Sequence, residues 1–303
     1  MGKEVTFLGI TLFKDQLQDG VTVFGMHQNG DIAAYLDEHV DRNALPVKSP
    51  MVDRNSMYKD KTLLNEKQAK SFRSRLMTLA FYGNMTRVDI CCEINMLAQL
   101  SSAPTVSAAK CLHRIERYLL HRPKFTLCAV RSGGSGVNNF LFYVDSDLAG
   151  DPSSTRSRTG VVVILNKMPI HWRSQKQPIT CFSSAAAEVF ALSEAVKDSR
   201  SLVWRAEELG CNFKYPIEIN EDNQAAVSFQ KSTTPYSKLK GVYNFRDKWV
   251  QELKDMNEIS AVKVDTLYNV SDLLTKCHQP SAMMKLLKLM YCGSGPDLRF
   301  RGC

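Results

Sequence analysis

The chain of 303 residues has no apolar run approaching the roughly 18 residues that a membrane-crossing helix needs. Its first stretch, MGKEVTFLGITLF, lacks the charged, then apolar, then small-residue layout of a secretory leader. MGKEVT does match an N-myristoylation pattern through Gly2 and Thr6, but the pattern is short enough to arise by chance. There is no CxxC pair and no Cys/His cluster, so a zinc site is not expected. The nine cysteines are scattered and odd in number, which points to free thiols in a reducing compartment. Internal repeats and low-complexity tracts are absent, and no histidine lies between His171 and His278.

What is present fits a globular chain large enough for two domains. Hydrophobic residues make up 44% and charged residues 23%. The net charge of +8 favours a polyanionic partner, with nucleic acid the first candidate.

Residues 5–13 (VTFLGITLF) and 20–28 (GVTVFGMHQ) read as strands of a hairpin, followed by a short helix that Asp31 can cap. Three helical patterns follow, at about 65–82, 87–100 and 105–120, with apolar residues at spacings of three and four. Lys110, Arg114 and Arg117 fall on the outer face of the third, as a solvated face or as phosphate contacts. The glycines of VRSGGSGVNN, 130–139, mark the best domain boundary, near 124–138. Beyond it, strands are expected at 139–146, 160–166 and 169–174. A long helix at 183–210 follows, stopped by Gly210, and then strands at 215–222 and 260–266 alternate with helices. Three antiparallel strands, a helix, and then alternation describe a mixed α/β domain.

Acids occur within this second half where acids are not expected. Asp145 and Asp147 share one face of the apolar strand FYVDSD, an unfavourable arrangement unless solvent or a cation compensates it. Glu188 sits among alanines and Phe190 early in the long helix, Asp222 follows the strand IEIN, and Asp272 opens SDLLTK. Each has a structural explanation when taken alone: a strand end, a helix-start charge, and two N-caps. Together they mark the strand ends and helix starts where open α/β sheets place their chemistry. Four converging carboxylates require divalent metal, and an all-oxygen set suits Mg²⁺ or Mn²⁺. A pair of such ions suits phosphodiester hydrolysis, and the basic chain points to a nucleic acid backbone as its target.

The segments YVDSDLAGD, HWRSQKQPITCFSSAAAEVFALSEAVK, INEDNQAAV and NVSDLLTK, in this order, resemble the ribonuclease H domain of copia-type long-terminal-repeat retrotransposon polyproteins. RSRTG at 156–160 and Trp172 also match. The first half resembles the thumb and connection of the reverse transcriptase in the same polyproteins, through FLGITL and through Thr86, Arg87, Asp89, Ile90, Arg117, Tyr118 and Leu119. Val88 stands where that family usually has proline. YVDSD looks like the polymerase Tyr-x-Asp-Asp hairpin, but Ser146 breaks the acid pair, so the chain is not expected to make DNA by itself. Many relatives carry His-Ile-Asp where VYN stands at 242–244. His278 is a weak substitute for a product-releasing histidine.

The resemblance implies a thumb/connection-like remnant at 1–125, an α/β ribonuclease H-like fold with a five-stranded mixed sheet at 138–290, and a tail at 291–303. The implied activity is endonucleolytic hydrolysis of the RNA strand of RNA–DNA hybrids. Asp145, Glu188, Asp222 and Asp272 would serve as catalytic acids and as ligands of two Mg²⁺ or Mn²⁺ ions. Asn223 and Gln224 are candidate contacts to the backbone or 2′-hydroxyls, and Arg156, Arg158, Arg173 and Lys176 to phosphates. Implied partners are the hybrid and the rest of a Pol polyprotein or another polymerase-bearing chain, with no membrane. The implied location is a cytoplasmic element particle or the nucleus. The other readings are a non-catalytic nucleic-acid-binding remnant and a structural subunit of a reverse transcriptase complex.

Overall fold

The structure is a computed structural model that describes residues 3–16, 22–130, 137–151, 153–229 and 245–292. It divides into two compact units, one formed by residues 1–132 with 276–303 and the other by residues 133–275. The second domain is expected to run to 290, whereas the described residues from Lys276 to Cys292, including His278, group with the first unit. Gly2, the glycine-rich link at 131–136, VYN at 242–244 and most of the expected tail, 293–303, lie outside the described residues.

In the first unit, strands β1 (Lys3–Phe7), β2 (Ile10–Gln16), β3 (Thr22–His27) and β4 (Leu127–Val130) form an antiparallel sheet in that order. Residues 5–13, expected as one strand, are split between two. Leu8 and Gly9 both take positive φ, 49° and 73°, and close a two-residue turn that pairs Phe7 with Ile10. Helix α1 (Asn29–His39) begins two residues ahead of Asp31, which therefore lies in its first turn and is not its cap.

The three expected helices are α2 (Glu66–Met85), α3 (Val88–Ala98) and α4 (Val106–His121). Asn65 and Gln68 form a reciprocal capping box that starts α2. The apolar residues at three-four spacing, among them Phe72, Leu76, Ile90, Leu97, Leu112 and Ile115, are buried. Two of the outer basic residues of α4 turn onto their own unit. Arg117 Nε donates to Leu45 O at 2.6 Å, and Arg114 Nη2 to Ser49 Oγ at 3.5 Å.

The motif residues of this half form its buried polar tie. Arg87 is fully buried and donates to both oxygens of Asp89, at 2.9 and 2.8 Å. Tyr118 OH donates to Asp89 Oδ2 at 2.6 Å, and Arg87 Nη1 donates to Arg122 O at 2.9 Å. The guanidinium also lies over the rings of Phe125 and Tyr118. A buried charge tolerates this position only when its donors are satisfied.

The second unit opens with β5 (Val137–Asn138), which pairs in parallel with the short β9 (Asn212–Phe213). Strands β6 (Phe140–Asp147), β7 (Arg158–Leu165) and β8 (Met168–Lys176) form an antiparallel meander, as expected. Helix α5 (Ser184–Glu208) follows. Strand β10 (Ile217–Glu221) runs parallel to β6, and β11 (Ile259–Lys263) parallel to β10, giving the order β11-β10-β6-β7-β8. Between them lie α6 (Gln224–Phe229) and α7 (Phe245–Asp255), while α8 (Pro280–Cys292) belongs to the first unit. Phe140, Phe142, Val144, Val161 and Val163 pack against Ala191, Leu192, Ala195 and Val196 of α5 in one core. The expected helix over SDLLTK is a short 3₁₀ turn, Val270–Leu274.

That turn lies against Gly160, which pairs with Asp145 across β6 and β7. A Cβ at Gly160 would lie 2.7 Å from Ser271 O and 2.8 Å from Thr275 Cγ2. Only a residue without a side chain lets the turn come this close. Gly160→Ala should therefore destabilise the protein by about 1–3 kcal/mol in denaturant unfolding, as overpacking does. Gly30→Ala, with nothing within 4 Å of the added Cβ, should change it little. Asp89→Ala should cost more, about 3–5 kcal/mol, because it strands the buried Arg87 charge. Equal effects at Gly160 and Gly30, or a mild effect at Asp89, would contradict these packing roles.

Candidate metal centre

Asp145, Glu188 and Asp222 are brought together. Each offers a carboxylate oxygen, and these oxygens all lie within 4.8 Å of one another. Three elements deliver them. Asp145 lies near the C-terminal end of the central strand β6, held in register by both neighbouring strands. Glu188 lies on α5, whose start is fixed by Ser183, whose hydroxyl accepts from Ala186 N at 3.1 Å. Asp222 follows the last residue of β10. Its structural reading as the N-cap of the next helix does not apply, because Asn223 takes that role. Asn223 Oδ1 accepts from Ala225 N at 2.9 Å, while the Asp222 carboxylate stays with the cluster.

The electrostatics are those of a site short of positive charge. Asp145 and Glu188 are each 4% exposed. Burial, with the charges of Glu221 and Asp145, pushes the Glu188 carboxyl up to about 10. Glu188 Oε2 is buried and has no hydrogen-bond partner among the described residues. A buried carboxylate oxygen without a donor is the condition that a bound cation relieves.

Two residues that matter here were not singled out from the sequence. Glu221, directly before Asp222, is fully buried. Its Oε1 accepts from Asn223 N at 2.9 Å, and its Oε2 has no partner among the described residues. Burial holds it well above the usual carboxylate range. The Asn223 N–H opposes this, and the charges of Asp222 and Asp145 reinforce it. Its position in β10 carried the signal, because it shares the inward face of Ile217 and Ile219. The other residue is Thr275, buried just after the 3₁₀ turn, whose Oγ1 donates to Asp145 Oδ2 in a short hydrogen bond.

The remaining expected site residues are distributed as follows. Asp272 is 8% exposed and lies in the 3₁₀ turn, outside the three-acid cluster. It is linked to that cluster by Thr275, whose Oγ1 lies 3.3 Å from the Asp272 carbonyl oxygen. Arg158 is buried, and its Nη1 donates to Ser174 Oγ at 3.0 Å, so it braces the sheet from within. Arg173 and Lys176 line a cleft of about 170 Å³ beside α5, but both are ion-paired. Arg173 pairs with Asp198 and Glu194, at 2.8 and 3.3 Å. Lys176 pairs with Asp151 at 2.9 Å. Burial would raise the Asp151 carboxyl, but Lys176 and the Ser154 and Ser153 hydroxyls outweigh it and hold the group well below its usual range. Arg156 is exposed, and Gln224 is exposed and donates to Ser228 Oγ at 3.2 Å.

No family model matches the chain. Individual proteins do. The chain is 27% identical over 256 residues to the retrovirus-related Pol polyprotein from transposon TNT 1-94 of Nicotiana tabacum, covering 83% of this chain and 19% of that one. It is 29% identical over 238 residues to the retrovirus-related Pol polyprotein from transposon RE1 of Arabidopsis thaliana, covering 77% and 16%. A shorter stretch, 120 residues or 40% of the chain, is 35% identical to the secreted RxLR effector protein 161 of Plasmopara viticola and covers 80% of it. The chain thus spans less than a fifth of the Pol polyproteins it matches. Most of the chain's length is thus similar to retrovirus-related, copia-type transposon Pol polyproteins.

Proposed function

We propose that the second unit is a ribonuclease H-like domain that hydrolyses the RNA strand of RNA–DNA hybrids with divalent metal. The observation that carries this reading is the convergence of Asp145, Glu188 and Asp222 within 4.8 Å at the end of the central strand. The sheet order, with three antiparallel strands followed by two parallel ones, is compatible with that fold. The kinship with Pol polyproteins supplies a setting in which such hybrids occur.

The donor set fits a hard cation. It is all oxygen, two of its carboxylates are buried, and Glu188 Oε2 has no partner among the described residues. Asp145, Glu188 and Asp222 would hold Mg²⁺ or Mn²⁺, with Asp272 the expected addition for a second ion. Bound there, the metal supplies Lewis acidity and neutralises charge on the phosphate. The chain's own residues do the rest. The amide nitrogen of Asn223, whose oxygen is committed to Ala225 N, is left to donate to a 2′-hydroxyl or phosphate oxygen. Gln224 and Arg156 present exposed polar groups to the backbone of the hybrid. Such contacts read 2′-hydroxyls and groove shape, so cleavage should show little sequence preference.

The direct test is a labelled RNA–DNA hybrid with Mg²⁺. The wild-type chain should cut the RNA strand, and Asp145→Asn should cut more than about a hundredfold more slowly, as loss of a metal ligand demands. Cleavage by both, or by neither, sinks the assignment. Salt-sensitive hybrid binding without cutting would instead mark a non-catalytic binding module.

The acids also predict a pH dependence of stability. The Glu188 carboxyl, raised from 4.5 to about 10, is protonated more readily in the folded chain than in the unfolded one. The folded state therefore binds more protons, and stability falls as pH rises through that window. In thermal unfolding with a chelator, between about pH 5 and about pH 9, the midpoint should drop with pH. Glu188→Gln should flatten that drop, and Mg²⁺ should oppose it by pairing with the ionised acids. An unchanged slope in Glu188→Gln would show that Glu188 is not the group responsible.

A further inference from the structure

One polar contact at the cluster serves no metal ligation of its own. Thr275 Oγ1 donates to Asp145 Oδ2 and lies 3.3 Å from Asp272 O. A threonine hydroxyl has one proton to give, and a carboxylate is a stronger acceptor than a backbone carbonyl. The proton is therefore directed to Asp145. Thr275 is itself held from several sides. Asn269 Nδ2 donates to Val144 O at 2.8 Å, and Ser174 Oγ donates to Leu274 O at 2.6 Å. The buried Arg158 braces Ser174, and the bare Cα of Gly160 lets the Thr275 methyl approach β7. The hydroxyl is thus fixed relative to β6 by a buried network and not by a mobile surface loop.

We propose that Thr275 is a positioning residue for Asp145, fixing the rotation of its carboxylate within the three-acid cluster and so setting its affinity for a divalent cation. The inference rests on the reading of Asp145, Glu188 and Asp222 as a metal-holding set. Rotation about the last bond of an aspartate is soft and nearly two-fold, so an unanchored carboxylate spends time turned away from its partners. A donor fixed on one oxygen removes that freedom before the cation arrives. Residues that orient a ligand in this way are typically worth about ten- to a hundredfold in metal affinity. The same hydroxyl lies within hydrogen-bond distance of the Asp272 carbonyl, so the turn bearing the fourth acid and the central strand share one anchor.

The test measures Mn²⁺ binding to the full chain by paramagnetic resonance, alongside the thermal midpoint, for the wild type, Thr275→Val, Thr275→Ser and Asp145→Asn. Thr275→Val keeps the shape and removes the donor. It should bind Mn²⁺ about tenfold more weakly. Thr275→Ser, which restores the hydroxyl, should stay within about twofold of wild type, and Asp145→Asn should lose binding. Wild-type affinity in Thr275→Val with binding lost in Asp145→Asn overturns the role of Thr275 and leaves the metal reading intact. Equal binding by wild type and Asp145→Asn overturns the metal reading itself. If Thr275→Val does not fold, Thr275→Ala is measured in its place. Failure of both to fold beside a folded Thr275→Ser would make the hydroxyl a determinant of folding, which also overturns a positioning role.

Discussion

Carboxylates gathered out of water are the constraint on which the second unit depends. Asp145, Glu188 and Asp222 lie within 4.8 Å of one another, and Glu221 is buried beside Asp222. At such separations like charges repel, and burial removes the solvent that would screen them. Lys263 Nζ donates to the backbone carbonyl of Asp222, but Arg158, Arg173 and Lys176, expected at the site, are engaged elsewhere. Arg173 and Lys176, near in sequence to the start of α5, are committed to Asp198, Glu194 and Asp151. Arg158 is turned inward onto Ser174. A fold that sequesters acids in this way suits the proposed divalent cation.

Holding such a cluster requires rigidity, because each acid would otherwise swing toward solvent. Rigidity here comes from backbone placement. Asp145 is pinned by strands on both sides of β6, Glu188 by a helix whose start is capped by Ser183, and Asp222 by the end of a strand and the start of a helix capped by its neighbour Asn223. The 3₁₀ turn of Asp272 needs a further device, because it must sit directly on a strand. Gly160 provides it by having no side chain at the one position where the turn meets β7. The polar ties from Asn269, Ser174 and Thr275 then lock the turn in place.

Much of this was legible in the sequence, for identifiable reasons. The strands of the second half are apolar runs bounded by turn residues, and the long helix carries both its cap and its stop, so their order could be read directly. The acids stood out because Asp145 and Glu188 interrupt apolar stretches. Other features depend on contacts remote in sequence. Glu221 shares the face of Ile217 and Ile219, but alternation alone does not say that a strand's last residue stays buried. Arg158 looked like a surface cation, because its partner Ser174 is reached only once β7 and β8 pair. Thr275 passed unnoticed because its acceptor lies 130 residues away. In the first unit the error was one of backbone conformation. Val5 to Phe13 has the composition of one strand, and only the positive φ of Leu8 and Gly9 divides it.

The two units show that a motif recognisable by its residues can have either of two physical roles. Arg87, Asp89 and Tyr118 are as distinctive in the first half as the acids are in the second; all are buried, and Arg87 and Asp89 are charged. There the charges are of opposite sign and close on one another, with both Asp89 oxygens and the guanidinium donors engaged. The tie is complete, and it asks for nothing beyond the chain. Burial would raise the Asp89 carboxyl, but the charge and hydrogen bonds of Arg87, with the Tyr118 hydroxyl, outweigh it and hold the group below its usual range. In the second half burial acts on charges of one sign, so the Glu188 and Glu221 carboxyls move up instead. The direction of that shift separates a cluster closed by its own ion pair from one built of like charges. By that criterion the proposed metal chemistry belongs to the second unit, and the first is held together by its own ion pair.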